Sequence, residues 1–100
     1  MGNIYDSTDQ RMGMVDDDRV VWDAKGGKIG YVDDKKIFDT ENNLAGWVDT
    51  DGKIYDGDGH HAGYVDPSGA VYDWNAKKIG RSQPPHMELG AAVLLVMMLR

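Results

Sequence analysis

The sequence of 100 residues contains no cysteine, only three prolines and a single phenylalanine. Without cysteine the chain can form no disulfide, so its small core must be stable through packing alone. Lys and Arg number 11 against 17 Asp and Glu, and the net charge of −6 disfavours a nucleic-acid partner, because phosphates would be repelled. The first residues lack the basic start and apolar run of a secretion signal, so the default expectation is a cytoplasmic location.

A short motif recurs along most of the chain. An aromatic residue followed by Asp occurs five times, a glycine occurs five times in the same rhythm, and a Val-Asp pair follows four of the glycines. The aromatic residues are Tyr5, Trp22, Phe38, Tyr55 and Tyr72, and the glycines are Gly13, Gly30, Gly46, Gly63 and Gly80. Both series advance by about 17 residues, the spacing of one short supersecondary unit rather than of a helix pair.

Each repeat has the composition of a tight β-hairpin. β-Branched and aromatic residues favour strands, and the clusters of Gly, Asp and Asn between them favour turns. The turns in "VDTDGKI" and "VDDKKI" place the strands in one common register, in which successive side chains point to opposite faces. One face of each hairpin is then aliphatic and the other largely aromatic. The predicted aliphatic pairs are Val15–Val21, Val32–Ile37, Val48–Ile54 and Val65–Val71.

The complete hairpins predict an all-β fold of four repeats closed around a fourfold axis. They span 15–23, 32–39, 48–56 and 65–73. An open row of such strands would leave two bare edges, whereas closure removes them and directs the aliphatic face to the axis. The N-terminal strand is expected to meet the chain near its fifth repeat glycine.

The repeat sequences resemble those of a known family. "IYDSTDQRMGMVD", "VWDAKGGKIGYVD", "IFDTENNLAGWVD" and "IYDGDGHHAGYVD" are similar to the repeats of small bacterial proteins described as four-fold β-flowers, over about residues 3–80. The resemblance implies a fold and a bacterial origin, and it carries no catalytic residue. A weaker similarity to choline-binding cell-wall repeats lies in "GWVDTDGKIYD".

The Asp-rich stretch 49–63 raises the question of a metal site. An EF-hand register would place Trp47 at the first ligand position, which excludes that motif. Most of the repeated Asp residues are interpreted as turn formers, whose carboxylates accept hydrogen bonds from backbone N–H groups. Asp58, His60 and His61 are the remaining candidates for a transition metal, although exposed histidines are the plainer interpretation. No cofactor is expected.

The aromatic rows are the candidate ligand site. Trp47, Tyr55, Tyr64 and Tyr72 could stack on sugar rings in a groove. Packing in the core and between hairpins is the favoured interpretation, because a short chain with one Phe needs its Tyr and Trp for burial. No arrangement of nucleophile and base indicates an enzyme. We therefore expect a non-catalytic binding or assembly module, with a carbohydrate-binding or cell-surface-binding repeat protein as the alternative.

The tail differs from the repeats in composition. Residues 1–82 are expected to form the repeat domain and residues 83–100 an apolar C-terminal helix, with Ser82 as its cap and Glu88 in its first turn. The apolar run 89–99 is too short to span a bilayer, so membrane contact is not expected. Because the helix is apolar on every side, a second copy is expected to cover it, which predicts a homo-oligomer held by residues 86–100.

Overall fold

A computed structural model describes residues 2–98 as ten short strands followed by a helical segment. The strands are β1 (Gly2–Asp6), β2 (Arg11–Val15), β3 (Val20–Asp23), β4 (Lys28–Asp33), β5 (Lys36–Asp39), β6 (Leu44–Val48), β7 (Lys53–Asp56), β8 (His61–Val65), β9 (Ala70–Asp73) and β10 (Lys78–Ser82). The helix α1 (Met87–Val93) continues into a π-helical segment, Leu94–Met98. Neither helical stretch has the length and apolar character needed to cross a membrane.

The ten strands form one closed antiparallel sheet, in which each strand pairs with its neighbours in sequence and β1 pairs with β10. The predicted fourfold closure is wrong, because the ring contains five hairpins. The fifth is built from the two ends of the chain, with Ile4 opposite Ser82 and Tyr5 opposite Arg81. Its strands are separated by the whole repeat region, and Ser82 stands where the other repeats have Val. The fifth repeat was therefore not recognised as a hairpin.

The predicted register of the other four hairpins is confirmed. Val15 lies opposite Val21, and the equivalent aliphatic pairs form in each hairpin that follows. These side chains point to the axis of the ring and are buried, at 0–7% exposure. The aliphatic face is therefore the core, as the alternation of side chains predicted.

A β-bulge between each hairpin and the next helps the sheet to close. Between β1 and β2, for example, Ile4 lies opposite Gly13 while Tyr5 lies opposite Arg11, so that Met12 is the extra residue. A bulge bends its strand and increases the local twist. The same shift occurs at every hairpin junction, always at the residue before a repeat glycine.

The interpretation of the repeated Asp residues as turn formers is confirmed for eight of the nine. In each of the eight, Oδ1 accepts hydrogen bonds from the backbone N–H groups two and four residues further on, at 2.8–3.0 Å. The eight are Asp6, Asp16, Asp23, Asp39, Asp49, Asp56, Asp66 and Asp73. The ninth, Asp33, precedes the two-residue turn at Asp34 and Lys35, which is too short for this arrangement.

The C-terminal helix lies inside the ring. Helix α1 contacts β1, β2, β5, β6, β7, β8 and β10, and its residues from Leu89 to Val93 are buried. The prediction of an apolar helix with Glu88 in its first turn is confirmed, but the helix begins at Met87 and not at residue 83. The predicted cap is wrong: Ser82 ends β10, and His86 precedes the helix without a capping side chain. Residues 99 and 100 of the predicted helix lie outside the described residues.

The helix enters the sheet beside a polar atom. Ser82 is 3% exposed, and its hydroxyl has no hydrogen-bond partner among the described residues. A Cβ on Gly90 would collide with that hydroxyl, so a small residue is required on each side of this contact. The Ser-for-Val exchange in the fifth repeat makes room for the helix backbone.

Five consecutive residues of the π-helical segment meet the five repeat glycines, one each. Cβ atoms built on the glycines would lie 2.7–3.0 Å from these five side chains. The partners are Leu94 with Gly80, Leu95 with Gly63, Val96 with Gly46, Met97 with Gly30 and Met98 with Gly13. An α-helix advances about 100° per residue. Five positions spaced evenly around a ring are about 72° apart. A π-helix has a wider turn with i→i+5 hydrogen bonds, so its rotation per residue is smaller than that of an α-helix and closer to this angle.

This enclosure removes the premise of the predicted homo-oligomer. That prediction assumed that one small β-domain could cover only part of an apolar helix. The ring covers Leu89, Leu94 and Val96 within a single chain, at no more than 7% exposure. The oligomeric state itself stays a prediction.

An outer aromatic belt as candidate functional site

The aromatic side chains lie outside the core. All nine fall within the described residues; eight are half-buried, and Trp74 is 68% exposed. The core consists of Ile, Val, Leu and Ala from the ring and the helix. The interpretation that Tyr and Trp fill the core is therefore wrong, because the threaded helix supplies the missing apolar volume. Packing between hairpins does occur, since the Tyr55 ring lies against His61 of the next hairpin.

Five cross-strand pairs on the outward face form what we term the outer aromatic belt. The pairs are Met14–Trp22, Tyr31–Phe38, Trp47–Tyr55, Tyr64–Tyr72 and Arg81–Tyr5. Three of them are stacked rings, with centroids 4.9–5.6 Å apart and planes within 20° of each other. In the terminal hairpin the Arg81 guanidinium lies 3.9 Å from the centroid of the Tyr5 ring, a cation–π contact.

One part of the belt is anchored by hydrogen bonds. The indole N–H of Trp22 donates to Asp16 at 2.8 Å, and the Tyr31 hydroxyl donates to Asn42 at 2.9 Å. Nε of Arg81 donates to Asp9 at 2.9 Å. The bond from Trp22 is the main cause that holds the pKa of the Asp16 carboxyl below its usual range. These partners hold the outer side chains in place.

The four aromatic residues predicted as ligand-binding occupy the other part. The structure places Trp47 and Tyr55 on the hairpin β6–β7 and Tyr64 and Tyr72 on β8–β9, and the two hairpins are adjacent because β7 pairs with β8. Within the described residues, the indole N–H and the three hydroxyls of this set make no hydrogen bond to another side chain. Their polar atoms are available to a ligand.

Two lysines at equivalent positions of successive repeats adjoin these aromatic pairs, in addition to Lys78 opposite Tyr72. Lys36 lies directly opposite Trp47 on the outward face, and Lys53 lies directly opposite Tyr64. Each stands one position before the inward Ile of its repeat. The side-chain pattern within one hairpin does not reveal these contacts, because they join one hairpin to the next.

A groove of about 360 Å³ runs beside Trp47. It is mainly apolar. The lining residues are Asp34, Lys35, Lys36, Leu44, Trp47 and Val48. Leu44 is 37% exposed, which makes it one of the few large apolar side chains that face solvent. At this groove the surface of the belt is concave.

The metal candidates are only partly brought together. Asp58 and His60 meet Asp56, with potential ligand atoms within 4.8 Å of one another. His61 does not join them, because its ring packs against Tyr55 at 5.6 Å. The hydrogen bond from the backbone N–H of His60 is the main cause that lowers the pKa of the Asp56 carboxyl. This carboxylate is therefore already engaged in stabilising the turn that follows it. The interpretation of these histidines as exposed side chains without a metal stays a prediction.

The fold and its belt define a class of protein, a closed sheet of five hairpins threaded by its own C-terminal helix. A family model described as 5-fold beta-flower protein matches residues 1–97. The chain belongs to this five-fold β-flower family. The kind of family predicted from the repeats is thus right, and the repeat count of four is wrong. No curated protein and no solved structure matches the chain.

Proposed function

We propose that the protein is a non-catalytic binding module whose ligand surface is the outward face of the hairpins β6–β7 and β8–β9. The observation that carries the proposal is the pair of stacked aromatic dimers there, which are half-buried and whose polar atoms bond to no side chain among the described residues. The core is complete without these side chains. Closure of the sheet also removes free strand edges, so a partner cannot bind by strand addition.

A carbohydrate is the ligand class that suits this surface. Tyr and Trp combine an apolar ring with a polar group at the rim. A sugar ring has a matching character, with C–H groups on its faces and hydroxyls around its edge. Stacking on Trp47 or Tyr72 would cover the C–H face, and the free indole N–H and phenol O–H groups would bond to the hydroxyls.

The carboxylates near the belt support a non-catalytic role. A general acid needs a raised pKa, whereas the hydrogen bond from the Ser68 hydroxyl lowers the pKa of the Asp66 carboxyl and that from Trp22 lowers the pKa of the Asp16 carboxyl. Both carboxylates are engaged in turns. These carboxylates accept hydrogen bonds from the backbone of their turns, a structural role that does not involve proton transfer.

Oligosaccharide titration of matched tryptophan variants tests the proposal. Trp47→Leu should weaken binding about twofold to tenfold, because one aromatic contact contributes about 0.5–1.5 kcal/mol beyond area burial. Trp74→Leu removes the same ring from an exposed turn outside the belt and should leave affinity unchanged. Equal losses in the two variants, or no binding of any oligosaccharide by the full chain, would contradict the proposal.

A further inference from the structure

We infer that the groove beside Trp47 is a subsite for a carboxylated sugar, with Lys36 as the group that recognises the carboxylate. The inference rests on the proposed carbohydrate function and narrows it from sugars in general to acidic sugars. It follows from three features of the groove: its apolar wall, the charges on its rim and the recurrence of its cation on the next hairpin.

The wall of the groove is suited to the face of a sugar ring. The side chains of Trp47 and Leu44 provide its apolar surface. Trp47 is stacked on Tyr55 with centroids 5.6 Å apart, which limits the tilt of the indole. Its ring also reaches the next turn, since a Cβ on Gly59 would lie 3.8 Å from its Cη2. A ring held on two sides presents a defined surface to a ligand.

The rim carries positive charge in an otherwise acidic chain. Lys35 and Lys36 line the groove with a single acid, Asp34, whereas the chain as a whole has a net charge of −6. Neither lysine has an ion-pair partner within 4 Å among the described residues, although Asp33 stands opposite Lys36 across the turn. Because Lys36 and Trp47 are directly opposed on one face, their side chains start about 5 Å apart. A ligand stacked on the indole would bring a ring carboxylate within reach of the ammonium group.

The same arrangement recurs on the next hairpin, where Lys53 is opposite Tyr64. The equivalent positions at the other three junctions hold Val20, Ala70 and Asn3, none of which is charged. Among these five positions, lysine is therefore limited to the two junctions beside Trp47 and Tyr64, while after the bulge Lys28 lies opposite Trp22 and Lys78 opposite Tyr72. Neighbouring hairpins are two strand spacings apart, about 10 Å. Two cations at this interval suit an acidic oligosaccharide that carries carboxylates along its length.

Titration of the full chain with matched charged and neutral sugars tests the inference. The probes are oligogalacturonate and oligomannuronate, each compared with its fully methyl-esterified form, which keeps the ring and removes the charge. We expect the acid form to bind more tightly and the preference to shrink at high salt. Lys36→Gln should weaken binding of the acid form about two- to fivefold and leave the ester unchanged, as the loss of one exposed charge contact predicts.

Lys25→Gln is the control, since it removes the same charge from an exposed turn at the opposite end of the ring, and circular dichroism shows that each variant is folded. Equal affinity for the acid and ester forms would overturn the inference and leave the carbohydrate function standing. Binding of neither form would overturn the inference, and the wider oligosaccharide titration would still decide the proposed function. Equal losses from Lys36→Gln and Lys25→Gln, or tighter binding of single-stranded nucleic acid than of either sugar, would also overturn it.

Discussion

The inner and outer faces of the ring are built on the same strands but differ in how strictly they repeat. On the inner face, glycine occupies all five positions that meet the π-helical segment, and Val or Ile occupies nine of the ten positions around α1. On the outer face, no two of the five pairs are alike. On the inner face all five repeats pack against the same helix, which restricts their residues, whereas the residues of the outer face are free to vary. The ligand surface is therefore found where the repeats differ.

The largest effect is expected from a methyl group on the inner face. In Gly63→Ala, the new Cβ would collide with the carbonyl oxygen of Tyr72 and lie 2.9 Å from Leu95. Both the sheet and the helix would have to move, so we expect the free energy of unfolding to fall by about 3 kcal/mol or more. Urea denaturation measures it.

Gly26→Ala is the matched control for that substitution. Gly26 lies in a turn at φ 84°, with nothing within 4 Å of an added Cβ, and Ala76 adopts φ 65° in the equivalent turn. The cost should stay near 1 kcal/mol. Similar losses at Gly26 and Gly63 would show that the inner face is not tightly fitted to the helix.

A cavity in the aliphatic layer should rank second. Val48 is 2% exposed beside Ile54, so Val48→Ala should destabilise the protein by about 1–3 kcal/mol. The neighbouring outward residue offers the contrast, since Lys53→Ala should change stability by less than about 0.5 kcal/mol. Thermal unfolding of both variants checks the comparison. A near-neutral Val48→Ala would mean that the core lies on the other face.

Acid should weaken the turns of the ring. Hydrogen bonds lower the pKa of five carboxyls in the folded protein, chiefly from the Trp22 indole for Asp16 and from groups within the turn for the other four. They belong to Asp6, Asp16, Asp39, Asp56 and Asp66. A lowered folded pKa stabilises the native state fully above the unfolded value of about 3.9, and this contribution is lost as pH falls through the folded value. Stability should therefore decline as the pH falls below about 4.

A matched pair of variants isolates one of these carboxyls. Asp16→Asn should flatten the acid decline, because Asp16 accepts bonds from Trp22 and the turn backbone. Asp17 accepts no hydrogen bond from a described residue, so Asp17→Asn should leave the shape of the curve unchanged. Denaturation from pH 7 to pH 2 measures both. Parallel curves for Asp16→Asn and the parent protein would rule out the turn account at this site.

The smallest expected effect is a difference in stability between variants in the hydrogen-bonded part of the belt and variants in the part predicted to bind ligand. Tyr31→Phe removes a hydroxyl that donates to Asn42 and should cost about 0.5–1 kcal/mol. Tyr72→Phe removes a hydroxyl without a side-chain partner among the described residues, so it should leave stability unchanged and weaken ligand binding. A melting-temperature shift of equal size in both variants would erase the distinction between the anchored and free parts.

Much of this architecture follows from the local chemistry of the repeats. The turn carboxylates, the strand register and the separation into aliphatic and aromatic faces depend on neighbouring residues, and the sequence was sufficient to predict them. The count of five was missed because the last hairpin joins Ile4 to Ser82 across the whole chain. The enclosure of the helix was missed because the width of the ring depends on the number of strands. That width also explains why no aromatic residue is needed in the core.

The candidate site was predictable to a similar degree. Trp47, Tyr55, Tyr64 and Tyr72 were recognised from the repeat, since their outward direction follows from the pleat. Lys36 and the groove beside Trp47 were not, because they arise between hairpins, where the bulges set the register. Contacts across a bulge cannot be counted from the alternation of side chains alone.

The register between the tail and the ring is the central claim, and nuclear Overhauser contacts measure it most directly. In a sample with labelled methyl groups and labelled glycine, Leu94 should show contacts to Gly80, Val96 to Gly46 and Met98 to Gly13, in this reverse order. Mixing labelled and unlabelled chains separates contacts within one molecule from contacts between two. The account predicts that all of them are intramolecular. Contacts in another order, or contacts that appear only between chains, would contradict it.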